Sequence, residues 1–415
     1  MSVSAEHKGS EAPSLTLFVA VSESNAPCED RNCFRQGLVQ STELVQGYAV
    51  IDGHGGVLAA EQVSTQLLEI IFRRLDEEGL EIGDDSVITK LLNESFHEVD
   101  QQILGISLSH MPGNSRNLDG DSTIATAGRR AGACALVLVC IRSRMFFAHV
   151  GDCRALLFRS KMAHQSPSSS KMSTSSGSGF HTRDLHLEDL VSRHSTMSTG
   201  KKRKSPVGSL GGESFFHIAW GLELIGVTTD HAPANALETV AVKHMTSDAN
   251  PIRASENDKG MPHAPMRVAG SLAVTRALGD GYLKARSLSI EPYIRFLPYI
   301  VCLPTVNIKS IDHVDKYIVL ASDGLYNFLS AKEIHSVLRE ADFKTAARRA
   351  SIKDGETEDG EEDPDPADML LQRCLELARH QCGQSKDEFQ GLAPGSLRRE
   401  VVDDITVLVL AIGAP

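Results

Sequence analysis

Asp52, Asp152, Asp323 and the pair Asp403-Asp404 are the residues whose setting could do chemistry. Asp52 lies in Val50-Ile51-Asp52-Gly53-His54-Gly55-Gly56, Asp152 in Val150-Gly151-Asp152-Cys153-Arg154 and Asp323 in Ala321-Ser322-Asp323-Gly324-Leu325. The fourth motif is Val402-Asp403-Asp404-Ile405-Thr406-Val407. Asp beside Gly is an ordinary turn, so any one motif alone says little. All of them, each joined to an apolar run and spread over the chain, point to a shared site. Hard cations such as Mg2+ and Mn2+ take carboxylate, carbonyl and water oxygens, and an Asp set without His or Cys ligands suits them better than zinc. Two such ions roughly 4 Å apart can share a water, lower its pKa and clamp a phosphoryl group for in-line attack.

The elements that must position these residues are short apolar strands. Leu15–Val21, Val45–Ile51, Tyr317–Ala321 and Ile405–Leu410 read as strands, and Ala133–Ile141 with Met145–Val150 reads as a hairpin turning at Arg142-Ser143-Arg144. Helices alternate with them. Val63, Leu67, Ile70, Ile71 and Leu75 fall at helical spacing within Leu58–Leu75, and Ser86–Leu104 and Ala367–Gln381 repeat the pattern. Ser330-Ala331-Lys332-Glu333 has the form of a capping box. Two stretches cannot bury enough apolar surface to offset chain entropy and are expected to be mobile loops: the Ser/Lys-rich 160–212 and the acidic 353–368. They interrupt one domain running from 15 to 415, after a flexible 1–14.

Composition narrows the function. A formal net charge of -12 makes the chain a poor partner for nucleic acid or anionic membrane. Its eight cysteines form no C-x-x-C pair, which removes zinc-finger spacing, and several sit in apolar runs as small hydrophobes. A reducing compartment follows. With no signal-peptide pattern and no apolar run of spanning length, the expectation is a soluble cytoplasmic protein. The run Lys201-Lys202-Arg203-Lys204 is read as part of a solvated loop, with a nuclear signal as the alternative.

The order of Glu29-Asp30, Asp52-Gly-His-Gly-Gly, Gly151-Asp-Cys-Arg, Leu272-Ala-Val-Thr-Arg-Ala-Leu-Gly-Asp280, Ser322-Asp-Gly-Leu and Asp403-Asp-Ile-Thr-Val resembles the type 2C (PPM) family of metal-dependent serine/threonine protein phosphatases. The resemblance implies an α+β fold, a four-layer α/β/β/α sandwich with two central antiparallel sheets flanked by helices. It implies two Mg2+ or Mn2+ ions per site, phosphorylated proteins as substrates, and a monomer. Residue by residue, Asp52 would bridge the ions and the Gly53 carbonyl would bind one of them. Asp323 and Asp403 would ligate the other, with Glu29 and Asp30 in the outer shell. Asp152 with Asp323 would hold a third, weaker ion. His54 would be the general acid that protonates the leaving alkoxide. Asp280 is read as structural, and Arg154 and Arg276 as anchors for carboxylates. A regulatory module that has lost turnover is the alternative function; the retained Asp52, Asp323 and Asp403 weigh against it.

The chain also departs from the family pattern. Asn25 stands where many members place a phosphate-gripping Arg, and is expected at the substrate although Asn lacks the bidentate charge of Arg. The run from Asn25 to Arg31 resembles the pyruvate dehydrogenase phosphatase branch. Cys134 replaces a usual Thr near the metal face, and Thr228-Thr229-Asp230-His231 resembles the family's T-x-D-H segment beside the site.

Overall fold

Strand after strand in this chain is apolar at consecutive positions, and the layering explains why. In β4 (Gly132–Ile141), Ala133, Ala135, Val137, Val139 and Ile141 face one core while Cys134, Leu136, Leu138 and Cys140 face another. β3 (Glu43–His54) divides in the same way, with Ala49 and Ile51 on one side and Tyr48 and Val50 on the other. A strand covered on both faces cannot alternate apolar with polar, although the sheet is antiparallel.

The computed structural model describes residues 14–109, 128–161, 221–258, 261, 263–353 and 363–413. Two antiparallel sheets form its centre. One has the order β1 (Leu15–Ser22), β13 (Ile405–Ile412), β12 (Asp315–Ala321), β6 (Arg154–Lys161), β7 (Gly221–Gly226). The other runs β11 (Thr305–Ser310), β5 (Arg144–Val150), β4, β3, β2 (Arg31–Val39), with β10 (Leu278–Gly279) joined to β4. β8 (Ile252–Ala254) and β9 (Met266–Val268) make a small separate ribbon. The core between the two large sheets is built from Val50, Leu136 and Leu138 on one side and Leu157, Ile318, Leu320, Leu408 and Leu410 on the other.

Helices close the two outer faces. α1 (Leu58–Leu75) lies against β2, β3 and β4, burying the predicted stripe Val63, Leu67, Ile70, Ile71 and Leu75, and α2 (Asp85–Ser109) packs on α1, β10 and β11. On the opposite face, α6 (Ala331–Lys353) and α7 (Pro366–Gln381) pack on β1, β7 and β13 through Ile334, Leu338, Leu370, Leu371 and Cys374. Shorter helices are α3 (Ala236–Met245), α4 (Gly281–Lys284), α5 (Asp323–Tyr326), α8 (Lys386–Gln390) and α9 (Ser396–Arg399). This is the expected four-layer sandwich. Among the described residues no helix is long and apolar enough to cross a membrane.

The Ser330 capping box forms, with Ser330 N–H donating to Glu333 Oε2 at 2.8 Å and Glu333 N–H to Ser330 Oγ at 3.3 Å. The two expected loops need correction at their edges. Ser160 and Lys161 finish β6, while 162–220 lies outside the described residues, as does 1–13. Of the acidic stretch, Lys353 ends α6, and Asp365 accepts from the N–H groups of Ala367 and Asp368 to cap α7. Acidic residues there favour a helix start, because carboxylates satisfy the open N–H groups of a first turn. Residues 354–362 lie outside the described set.

Candidate metal centre

Four chain segments deliver the acidic residues to one end of the two-sheet core. β3 brings Asp52, placed two positions after Val50 and opposite Cys134 of β4. The β5–β6 turn brings Asp152, the end of β12 leads into Asp323 at the start of α5, and Asp403 lies just ahead of β13, with Asp404 between. The segment between β1 and β2 adds Glu29 and Asp30. Gly53 is buried and paired with Ala133, and His54 ends the strand opposite Gly132. Gly55 turns the chain at φ +69°, where a Cβ would lie 2.3 Å from the Arg130 carbonyl oxygen; only glycine fits that conformation and that approach.

Charge is the defining property of this end. Asp52 keeps some solvent access, yet desolvation and then the charges of Asp30, Asp323, Asp152 and Asp403 push its carboxyl well above the usual range. Burial pushes Asp30 up to about 7 despite the hydrogen bond from Ser322 Oγ at 2.7 Å. Burial and then Asp152 and Asp403 push Asp323 to about 7. Asp152 is raised too, mainly by burial. These groups resist ionising together because each would place a like charge beside the others in a poorly solvated space.

Asp404 behaves in the opposite way. Burial pushes it up, but it accepts from Ser24 N–H (2.6 Å), Asn25 N–H (2.8 Å), Glu29 N–H (2.8 Å) and Asn25 Nδ2 (2.8 Å), and ends below the usual range. It ties the Ser24–Glu29 segment to β13, a role distinct from metal ligation. The Asp-Asp doublet was its only visible signal. Asp403 lies beside it, its Oδ1 accepting the Asp404 N–H at 2.9 Å.

Asn25 is where expectation and structure differ most. It is buried, and its Nδ2 serves Asp404 and, at 3.4 Å, Asp403, while its Oδ1 accepts from Arg399 Nη1 at 2.6 Å. Both ends of the amide are engaged with protein groups. Glu29 joins two parts of the rim: Oε1 accepts the Gly56 N–H at 2.6 Å and Oε2 lies 3.0 Å from Arg399 Nη1.

His54 stands 2.7 Å through Nε2 from Oδ2 of Asp280, which is 1% exposed while the imidazole is 25% exposed. Burial alone would lower the imidazole's pKa, but the charge and hydrogen bond of Asp280 outweigh it and raise it. The pair sits over Gly132, where a Cβ would come within 2.2 Å of Asp280 Oδ2 and 2.3 Å of His54 Nε2. Asp280, read from the sequence as structural, meets the histidine through this contact. Arg154 and Arg276 are the expected anchors: Arg154 binds both oxygens of Asp230 (2.7 and 2.5 Å), and Arg276 both oxygens of Glu238 (2.9 and 2.6 Å). His231 of the T-x-D-H segment stacks on His149 with ring centroids 4.4 Å apart.

Among the described residues, no three His, Cys, Asp or Glu side chains already converge tightly enough to hold an ion. The donor chemistry nevertheless fits divalent cations: Asp30, Asp52, Asp152 and Asp323 are gathered where burial disfavours their charged forms, and all their donors are hard oxygens.

A mixed fold with two facing antiparallel sheets, helices outside and a carboxylate cluster at one end defines the class. The architecture matches the crystal structure of a serine-threonine phosphatase 2C from Toxoplasma gondii, with a TM-score of 0.56 and 13% identity over 97% of this chain and 96% of that one. The family model for protein phosphatase 2C matches residues 17–175 and 225–352, and the chain belongs to that family. Protein phosphatase 2C 29 of Arabidopsis thaliana is 28% identical over 68% of this chain and 32% of its own length. Probable protein phosphatase 2C 67 of the same plant is 24% identical over 94% of this chain and 82% of its own length. The chain therefore spans about a third of the first relative and most of the second.

Proposed function

We propose that the chain hydrolyses phosphoserine and phosphothreonine in proteins, with two divalent ions, Mg2+ or Mn2+, held at the carboxylate cluster. The observation that carries this is the burial of Asp30, Asp52, Asp152 and Asp323 together at one end of the sandwich, where desolvation first, and neighbouring carboxylates second, raise their pKa values. Asp52, Asp323, Asp403 and the Gly53 carbonyl would hold the two ions, with Glu29 and Asp30 behind them, and Asp152 with Asp323 a third, weaker ion. When bound, such ions supply Lewis acidity, a water of lowered pKa, and the positive charge that lets a phosphate dianion approach.

The chain's own residues do the rest. His54 directs Nε2 to Asp280, which stabilises the imidazolium and leaves Nδ1 as the nitrogen that can hand a proton to the departing Ser or Thr oxygen. Asp404 fixes Asn25 and Glu29 through the backbone, so the rim is held before substrate arrives. Family membership and the likeness to relatives named as 2C phosphatases support the same reading.

The test is phosphate release from a phosphothreonine peptide by the purified chain with Mn2+, then with EDTA. Release that EDTA abolishes, and that Asp52→Asn reduces by about 10³-fold or more in a protein that still unfolds cooperatively, is the expected result. No release by folded wild-type chain under Mn2+ or Mg2+ would replace the enzyme with a regulatory module.

A further inference from the structure

Asn25 stands where a phosphate-gripping arginine is common in this family, and it is turned inward. The guanidinium that reaches the same place comes from the far end of the chain. Arg399 closes the short helix α9, four residues before Asp403. Its Nη1 donates to Asn25 Oδ1 at 2.6 Å and to Glu29 Oε2 at 3.0 Å. Nε and Nη2 have no hydrogen-bond partner among the described residues, and the side chain is 48% exposed. Burial would lower its pKa, but the charges of Asp403, Glu29 and Asp404 raise it.

The support around Arg399 is built rather than incidental. Gly395 N–H donates to the Ser24 carbonyl at 2.8 Å, fastening the start of α9 to the β1–β2 segment. The neighbouring Arg398 is used up as an anchor: it bonds the Leu392 carbonyl (3.1 Å) and Ser22 Oγ (3.1 Å) and lies over the Phe389 ring. Arg399 is held by one nitrogen and leaves the other two open beside Glu29 and Asp403. A guanidinium pinned by one edge presents the remaining donors in a fixed fork, which is the arrangement that grips a phosphate bidentately.

We propose that Arg399 binds the substrate's phosphate group from the C-terminal side of the site, and that Asn25 is the positioning residue that holds its guanidinium. The assignment rests on the phosphatase reading above. It gives the departure at Asn25 a physical meaning: the cation has moved to another segment, and the amide left behind orients it. The rival role for Arg399 is a counter-ion that merely relieves repulsion between Glu29 and Asp403. That role predicts weaker metal binding on its removal, and no selective loss of phosphate affinity.

The experiment uses the full chain with Mn2+, comparing wild type, Arg399→Met and Arg399→Lys. Orthophosphate binding and Mn2+ binding are measured by calorimetry, KM and kcat on a phosphothreonine peptide, and unfolding by heat. Arg399→Met is expected to weaken orthophosphate binding and raise KM about tenfold, a loss of ~1.4 kcal/mol, while Mn2+ affinity, unfolding temperature and kcat stay close to wild type. Arg399→Lys, a point charge without the fork, recovers only part of the loss. Unchanged orthophosphate affinity in folded Arg399→Met overturns the proposal, and so does a fall in Mn2+ affinity that accounts for the whole effect. The orthophosphate measurement does not need turnover, so an inactive wild type would sink the phosphatase reading while still deciding whether Arg399 binds phosphate.

Discussion

Arg276 and Glu238 meet edge to edge, with Thr275 Oγ1 donating to the same carboxylate at 2.7 Å and the Leu303 carbonyl taking a further guanidinium hydrogen at 3.1 Å. Arg154 and Asp230 meet in the same way, over the ring of Tyr326. The region around Asp52 has the opposite character: carboxylates face carboxylates, and the nearby cations, Arg399 and His54, stand at its edge. Charges paired so fully in one place and left opposed in another separate a region whose arrangement is satisfied by the fold from one whose charges are not.

The sharpest way to break the comparison is at the paired region. Glu238→Gln leaves Arg276 partly buried without its counter-charge, and should cost about 3 kcal/mol of stability, read as a lower urea midpoint, with kcat changed little in the molecules that remain folded. A variant that lost turnover and kept its midpoint would move this pair into the catalytic machinery. Asp280→Asn comes next. It should lower the imidazole pKa of His54, followed by NMR, and slow phosphothreonine peptide hydrolysis by about 10²-fold, with a smaller effect on an aryl phosphate whose leaving group needs no proton. Equal slowing of both substrates would remove His54 from the acid role.

The smallest expected effect is on pH dependence. Asp30 and Asp323 titrate near 7 in the folded chain, above the unfolded value of about 3.9. The folded state therefore holds the extra protons, and its stability is greatest at low pH and is lost as pH rises through about 7. His54, also raised, works in the same direction. His231 works against it: burial and then His149 depress its pKa to about 2, so its contribution is full above about 6.5 and is lost as pH falls. Between pH 6.5 and 8, metal-free protein should lose on the order of 1 kcal/mol, Asp52→Asn should flatten that loss, and added Mn2+ should reverse it. A metal-free midpoint that rose over the same interval would contradict the assigned repulsion.

The strands, the outer helices and the acidic motifs were legible because each leaves a local pattern: unbroken apolar runs, a 3.6-residue stripe, Asp at the ends of strands. The two-sided burial of β4 explains why its sequence lacks the alternation of an ordinary antiparallel strand. What could not be read were pairings between distant segments. Nothing local in Arg399 distinguishes it from Arg398, although one reaches the acidic rim and the other packs on Phe389. Asn25 was read as a substrate contact, and its partners Asp404 and Arg399 lie out of sight at the other end of the chain. Nothing in the sequence around Asp280 shows that His54 is its partner, 226 residues away. The acidic 353–368 stretch misled because charge density reads alike in a solvated loop and at a helix start, where Asp365 in fact serves as a cap.

Asp404 grips the backbone of Ser24 across a separation of 380 residues, and β1 lies along β13 for its whole length. For a chain emerging from the ribosome, this sets a schedule. Asp52, Asp152 and Asp323 are all made before the segment that locks Glu29 and supplies Asp403, and closing so long a loop is slow. Pairing of β3, β4 and β5 can bring Asp52 and Asp152 together before β13 arrives, but Asp403 and the tie from Asp404 to Ser24 and Glu29 come only with it. Completion of the site is thus a late step in the making of the molecule.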